Sequence, residues 1–128
     1  MKNRRLILFS FLFTLIMFAG INSVYAQRNQ NAVKRATWQT SVDDSKRGTI
    51  TLGVRDKWSS LGRFMATFVV TAPNGKTFRG RMATSQDDWA YINFPTGFNG
   101  NPQAIGTYKV VFYVNGVVIG RDKFKFRP

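Results

Sequence analysis

The sequence predicts an all-β protein in which two antiparallel sheets of about seven strands in total pack face to face. Two observations predict this class. Short runs of alternating apolar and polar residues are separated by clusters of Gly, Asn, Asp and Pro. After the first 26 residues, no stretch longer than one turn carries the apolar period of a helix. A small closed β-barrel is the alternative that the same pattern allows.

The first 26 residues are predicted to be a secretory signal peptide. Lys2, Arg4 and Arg5 precede a nearly unbroken apolar run over residues 6–21, and residues 24–26 have the small or tolerated side chains of a cleavage site. An uncleaved membrane anchor is the alternative, but the run is shorter than the ~20 residues that span a bilayer. We therefore expect an exported protein, located in the periplasm or outside the cell.

The exported part is expected to form one strongly basic domain. Residues 27–36 are polar, basic and without periodicity, so we predict a flexible lead-in, followed by a β-sandwich domain over residues 37–128. The 19 Lys and Arg against 6 Asp and Glu give a net charge of +13, which removal of Lys2, Arg4 and Arg5 lowers to +10. This charge favours contact with anionic partners.

The residue types that are absent argue against catalysis and metal binding. The chain has no His, no Cys and no Glu, which removes the commonest general base, the thiol nucleophile and most transition-metal ligands. The Asp43-Asp44 and Asp87-Asp88 pairs lie in turn clusters and lack the ligand spacing of a calcium loop. We therefore expect no enzyme, cofactor, metal or small-molecule substrate.

Seven strands are predicted along the chain, at residues 37–42, 49–54, 63–72, 77–84, 89–94, 108–114 and 117–126. Trp38 anchors the first strand, and a turn is expected at 43–48. The third strand directs alternate residues from Phe64 to Val70 inward, and the fourth directs Phe78, Gly80 and Met82 inward. The fifth strand places Ala90, Ile92 and Phe94 on one side by the same alternation.

The last two strands form the clearest element of the sequence, a β-hairpin. Asn115-Gly116 supplies the two positive φ angles that a two-residue hairpin turn requires. The segment 106–110, Gly-Thr-Tyr-Lys-Val, resembles the start of the sixth strand of immunoglobulin-like sandwiches, and the hairpin resembles that of bacterial fibronectin-like or macroglobulin-like modules. The resemblance implies that the Tyr108 hydroxyl binds nearby backbone. It also implies a binding or structural module without a catalytic residue.

A basic strip on the last strand is the main candidate site. Its members recur at intervals of two and therefore face one way, and two further arginines of the fourth strand are outward by the same parity. The strip comprises Arg121, Lys123, Lys125 and Arg127, joined by Arg79 and Arg81. Such a strip suits phosphates or carboxylates of an envelope polymer or a membrane surface. Protection of a sheet edge against aggregation is the alternative explanation.

Aromatic residues beside basic ones are the second type of candidate site, with packing in the core as the more common role of Trp in a small cysteine-free sandwich. Trp58 lies near Arg55 and Lys57 in the sequence, a pattern that suits stacking of sugars or bases. Another such group is formed by Trp89, Tyr91 and Phe98. The chain is therefore predicted to be a non-catalytic envelope-associated binding module. The alternative is an assembly subunit that pairs its edge strand with another protein. Nucleic acid fits the charge, but export and the absence of a motif count against it.

Overall fold

The computed structural model describes residues 29–128, so the predicted signal peptide and its cleavage site lie outside the described residues. Eight strands follow a short helix, α1, at residues 29–35. They are β1 (Trp38–Lys46), β2 (Thr49–Asp56), β3 (Met65–Thr71), β4 (Thr77–Arg79), β5 (Ala83–Thr84), β6 (Trp89–Phe94), β7 (Gly106–Val114) and β8 (Val117–Phe126). Within these residues, no helix is long and apolar enough to cross a membrane.

The strands form two antiparallel sheets, which confirms the predicted all-β sandwich. The three-stranded sheet has the order β1-β2-β6, and the five-stranded sheet has the order β4-β3-β7-β8 with β5 also paired to β3. Strands β1 and β8, which lie at the edges of their sheets, approach each other along one side, where a Cβ on Gly120 would lie 3.0 Å from the Thr40 methyl group.

The core lies between the sheets and is built from the residues that the alternation predicted to face inward. Phe64, Phe68 and Val70 are 2% exposed or less, and Phe94 is fully buried. The Phe94 ring is the centre of an aromatic cluster, since its centroid lies 5.0 to 5.9 Å from five other rings. Those rings belong to Phe78, Phe98, Tyr108, Phe124 and Phe126. Edge-to-face packing of this kind stabilises the contact between the sheets.

The predicted strand 77–84 is in fact two strands, because the chain leaves β3 after Arg79. Gly80 forms a bridge with Phe98, and the Arg81 amide donates to the Gly97 carbonyl at 3.0 Å. A Cβ on Gly80 would lie 2.7 Å from the Ile92 Cδ1, so only glycine permits this approach. As a result Met82, which was predicted to face inward, is 62% exposed.

Two further boundaries differ from the prediction. Strand β1 continues to Lys46 through the predicted turn, because residues 43–46 pair with β2 across a bulge, and the turn itself lies at Arg47-Gly48. Residues 29–35 of the predicted lead-in form helix α1. Val33 is fully buried, and the Trp38 indole N–H donates to the Val33 carbonyl at 2.8 Å. The Val33 side chain therefore docks a segment that is otherwise mostly polar.

The hairpin of β7 and β8 agrees with the prediction in detail. Asn115 and Gly116 have φ angles of 48° and 81°. The Tyr108 side chain is buried, and its hydroxyl donates to the Ala104 carbonyl at 2.6 Å, as the resemblance implied. Burial raises the pKa of the Tyr108 hydroxyl above its usual value.

Candidate functional site

The predicted basic strip lies on an outer strand of the five-stranded sheet. Strand β8 pairs with β7 alone, and Arg121, Lys123 and Lys125 are exposed while Phe124 and Phe126 are buried. The alternation of a strand thus separates the charged side from the core side, as the sequence predicted. Arg127 follows the last residue of β8 and is also exposed.

Strand register extends this basic surface across the sheet. Lys123 is paired directly with Lys109 of β7, so two like charges are cross-strand neighbours on the outer face. Arg121 is paired with Val111, and Val111 is followed across β3 by Val69 and then by Arg79. Three strand spacings of about 4.8 Å place Arg79 about 14 Å from Arg121 on the same face. We call this outer face of β8, β7, β3 and β4 the basic face.

The charge of the basic face is not neutralised within it. None of the outward residues that β3, β4, β7 and β8 place there is acidic. Asp122 has the inward parity of Phe124, and its carboxylate accepts the backbone N–H of Lys123 at 2.8 Å. The field of the face is therefore positive and open to solvent, which favours an anionic ligand.

A groove at the end of β8 brings in two basic residues that the sequence analysis missed. Lys46 and Arg47, at the β1–β2 turn, line it together with Lys125 and Arg127. The groove has a volume of about 480 Å³, and Asp44 is the acidic residue in its lining. The local sequence does not indicate that these four residues lie close together, because their proximity depends on how the two sheets pack. Concave sites with converging charges are where ligands are usually held.

Two candidate residues lie away from the basic face. Arg81 is beyond the end of β4 and lines a groove with Tyr91 of β6. Trp58 follows β2 and is 70% exposed, with the Lys57 ammonium 5.1 Å from its ring centroid. The eight residues of β2 span about 23 Å, and Thr49 at the other end lines the groove beside Lys125. Trp58 and the groove beside Lys125 are thus at opposite ends of the sandwich.

The second aromatic group is assembled differently from the prediction. Trp89 and Tyr91 stack on the outer face of the three-stranded sheet, with ring centroids 5.2 Å apart and planes 9° from parallel. The Arg55 guanidinium lies 5.9 Å from the Trp89 centroid, so Arg55 is a partner of Trp89 and not of Trp58. Phe98 does not belong to this group because it is buried in the core.

The aspartates mostly bind backbone and neighbouring hydroxyl groups. Asp56 is buried and accepts the Leu61 N–H at 2.8 Å, and Asp88 accepts the Ser59 hydroxyl at 2.7 Å. Asp43 accepts the Ser45 N–H at 2.9 Å, and this bond lowers the pKa of Asp43. Among residues 29–128 no three carboxylates meet in a group that could hold a metal ion.

The fold defines the chain as an all-β sandwich, and comparisons with known proteins do not narrow this class. No protein-family model matches the chain, and no curated protein matches it. Among solved structures, the chain is similar to an alkylpurine DNA glycosylase, AlkC, of Pseudomonas fluorescens, bound to DNA that contains an abasic-site analogue. That match has a TM-score of 0.42 and 12% identity, and covers 70% of this chain but 29% of the glycosylase chain.

This match corrects two expectations from the sequence. The glycosylase is an enzyme bound to DNA, which contradicts the expectations that the chain is not an enzyme and that nucleic acid is an unlikely partner. Neither expectation is kept. A likeness of this size carries no argument about what this chain itself does, so the functional reasoning depends on the chain's own residues.

Proposed function

We propose that the protein is an exported, envelope-associated binding module of the immunoglobulin-like class, which holds an anionic polymer on its basic face. The observation that carries the proposal is the direct pairing of Lys109 with Lys123, inside a face that holds three further basic side chains and no acidic one. Like charges directly opposite on neighbouring strands destabilise a sheet. A polyanion bound across the face relieves this repulsion.

The shape of the surface supports a polymer over a small ion. The basic side chains extend about 14 Å across the sheet, from Arg121 to Arg79, and continue into the groove that holds Lys46 and Arg47. A ligand with anionic groups at regular intervals matches charges spread over this distance. Because these side chains are exposed, their attraction for a polyanion is expected to decrease as salt increases.

Edge-strand pairing with a partner protein is the alternative function, and the structure disfavours it at β8. The edge position of β8 is what such pairing requires. However, β1 approaches the strand at Gly120, and the Lys123 N–H is already bound by the Asp122 carboxylate. A bulge between Phe112 and Tyr113 also interrupts the pairing register of β7 with β8. These features are typical of edges that are protected against strand addition.

The proposal is tested by measuring the binding of the purified protein to an acidic polysaccharide at low and moderate salt. The test variant replaces Lys123, Lys125 and Arg127 by Ser. The matched control replaces Lys34, Lys57 and Arg63 by Ser, which removes the same charge from exposed positions outside the basic face. Circular dichroism checks that both variants are folded. Anionic lipid vesicles and double-stranded DNA are measured in parallel.

We expect salt-sensitive binding that the test variant loses and the control largely retains. Equal losses in both variants would show that total charge, and not the basic face, attracts the polymer. Absence of binding to every polyanion would contradict the proposal and leave edge protection as the explanation of the lysines. Tighter binding to DNA or to vesicles than to polysaccharide would name a different anionic partner for the same face.

A further inference from the structure

Two adjoining grooves lie between the basic face and the Trp89–Tyr91 stack. One, about 500 Å³ in volume, is lined by Arg79 and Arg81 among others. The other, of about 200 Å³, is lined by Arg81, Tyr91 and Asn93. Thr96 and Gly97 line both, so the two grooves lie side by side. We call the whole the arginine–tyrosine groove.

Tyr91 gives this groove an aromatic wall that is held in place. Its side chain is 54% exposed, and its ring is supported by the parallel ring of Trp89. A Cβ on Gly53 would lie 2.7 Å from the Tyr91 Cε1, so the ring rests directly on the backbone of β2. A fixed, exposed aromatic face is suited to contact with the C–H face of a pyranose ring, because it offers apolar area at low conformational cost.

Polar groups stand beside this wall at positions that suit a sugar acid. The Asn93 Oδ1 accepts the Thr51 hydroxyl at 2.9 Å, which orients the amide and leaves its NH₂ group as the donor for a ligand. Arg81 is exposed in the same part of the groove. A guanidinium binds a carboxylate through two parallel hydrogen bonds, which is the strongest interaction that this site can offer.

We infer that the arginine–tyrosine groove binds one ring of an acidic glycan, with the ring on Tyr91, its carboxylate on Arg81 and a hydroxyl on Asn93. The inference rests on the proposed function, because Arg79 belongs both to this groove and to the basic face. It deepens that function by naming the anionic polymer as a polysaccharide of sugar acids. The basic face attracts polyanions in general, and the groove binds those that are built from sugar acids more tightly than others.

The charges on the other side of Tyr91 favour a glycan over nucleic acid. A second groove of about 490 Å³ meets the stack there, and Gln86 and Asp87 line it with Trp89 and Tyr91. A carboxylate accepts hydrogen bonds from sugar hydroxyls but repels the closely spaced phosphates of a nucleic acid. Hydroxyl-rich rings with one carboxylate each match this mixture of donors and acceptors.

The test is calorimetric titration of the purified protein with hexamers of galacturonate and of hyaluronate, beside polyphosphate and single-stranded hexathymidylate. Tyr91→Ser removes the aromatic wall, whereas Tyr91→Phe keeps it. Arg81→Gln removes the carboxylate partner, and Arg63→Gln is its control at an exposed arginine outside the groove. Urea unfolding checks that the variants retain the stability of the parent.

We expect Tyr91→Ser to weaken the better-bound hexamer roughly tenfold, as the loss of one stacked ring implies. Tyr91→Phe and Arg63→Gln should leave that affinity within about twofold of the parent, and Arg81→Gln should reduce it. Polyphosphate binding should not respond to Tyr91→Ser.

If the hexamers bind through the basic face while Tyr91→Ser has no effect, this inference is overturned and the proposed function stands. Preferential binding of hexathymidylate that depends on Tyr91 would assign the groove to nucleic acid and overturn the inference. Absence of binding to all four probes would contradict both proposals.

Discussion

Lys109 and Lys123 are directly paired across β7 and β8, on a face where neither has an acidic neighbour in the adjacent strands. Directly opposed side chains in an antiparallel pair have Cβ atoms only about 5 Å apart, so their charges repel each other. A sheet selected for stability alone would place opposite charges or apolar residues there. This repulsive pair is therefore the feature of the fold on which the proposed binding of anions depends.

Reversing one of these charges should stabilise the protein and weaken its binding. Lys123→Glu converts the repulsive pair into an attractive one, and we expect the free energy of unfolding to rise by about 0.2–1 kcal/mol. Polyanion binding should decrease at the same time. Urea denaturation and the polysaccharide titration measure the two effects, with Lys34→Glu as the control for net charge. Lower stability in Lys123→Glu would show that the pairing is not repulsive.

Removing the Tyr108 hydroxyl should destabilise the protein and change its response to alkaline pH. Tyr108→Phe loses the hydrogen bond to the Ala104 carbonyl, at an expected cost of about 1 kcal/mol. Because burial raises the pKa of Tyr108 in the folded state, the parent binds this proton more tightly when folded than when unfolded. That contribution is complete below the unfolded pKa of about 10 and is lost as pH rises through the higher folded pKa.

Urea unfolding from pH 8 to pH 11 measures this difference. The parent should lose stability more steeply than Tyr108→Phe above about pH 10. Parallel curves for the two proteins over this range would contradict the assignment of the raised pKa to Tyr108. Tyr113→Phe is a suitable control, because Tyr113 is a tyrosine of the same strand that is only half-buried.

Alanine in place of Gly97 or Gly53 should destabilise the protein to different extents, because the two new Cβ atoms meet different neighbours. In Gly97→Ala the new Cβ would lie 2.5 Å from the Ile92 Cγ1 and 2.9 Å from the Asn93 carbonyl oxygen. Neither can move easily, so we expect a loss of about 1–3 kcal/mol in unfolding free energy. In Gly53→Ala the contact is the half-exposed Tyr91 ring, which the new Cβ would push from its place on β2 toward solvent. The stability loss should be smaller, but binding of the sugar-acid hexamer should weaken.

Urea unfolding measures the stability of both glycine variants, and calorimetric titration measures their affinity for the hexamer. Equal stability losses would show that the Tyr91 ring is as firmly held as the core. Unchanged hexamer affinity in Gly53→Ala, together with a displaced ring detected through the fluorescence of Trp89, would contradict the role given to Tyr91. Gln103→Ala, at an exposed position of the same loop outside the groove, controls for local changes in the loop.

The parts of the fold that follow from strand alternation could be predicted from the sequence. Phe64 to Val70 alternate over a full strand, and burial of one side fixes which residues face inward. The β7–β8 hairpin was predictable because Asn115-Gly116 specifies its turn locally. The exposed direction of Arg121, Lys123 and Lys125 follows from the same two-residue period.

The remaining features depend on contacts between distant segments, which the sequence pattern does not encode. Strand 77–84 breaks because Gly80 pairs with Phe98, eighteen positions further on. Lys46 meets Lys125 only because the edges of two sheets adjoin. Arg55 is close to Trp58 along the chain but is paired with Trp89 by the β2–β6 register. In each case the register or the packing, and not the local sequence, decides the neighbour.

The charged residues of edge strand β8 could protect it against pairing with another chain or bind the ligand, and two variants distinguish these roles. Asp122 has the inward parity of the core residues but is exposed on the edge strand β8, an arrangement that discourages pairing with another chain. Asp122→Val should therefore increase self-association on mild heating, measured by light scattering, while polyanion binding stays intact. Arg63→Val is the control for a new exposed apolar side chain, at a loop position outside the sheet edges. If the Lys123, Lys125 and Arg127 serine variant aggregates as readily as Asp122→Val and still binds polysaccharide, then the lysines protect the edge and the binding site lies elsewhere. If it stays monomeric and loses binding, Asp122 guards the edge and the basic residues hold the ligand.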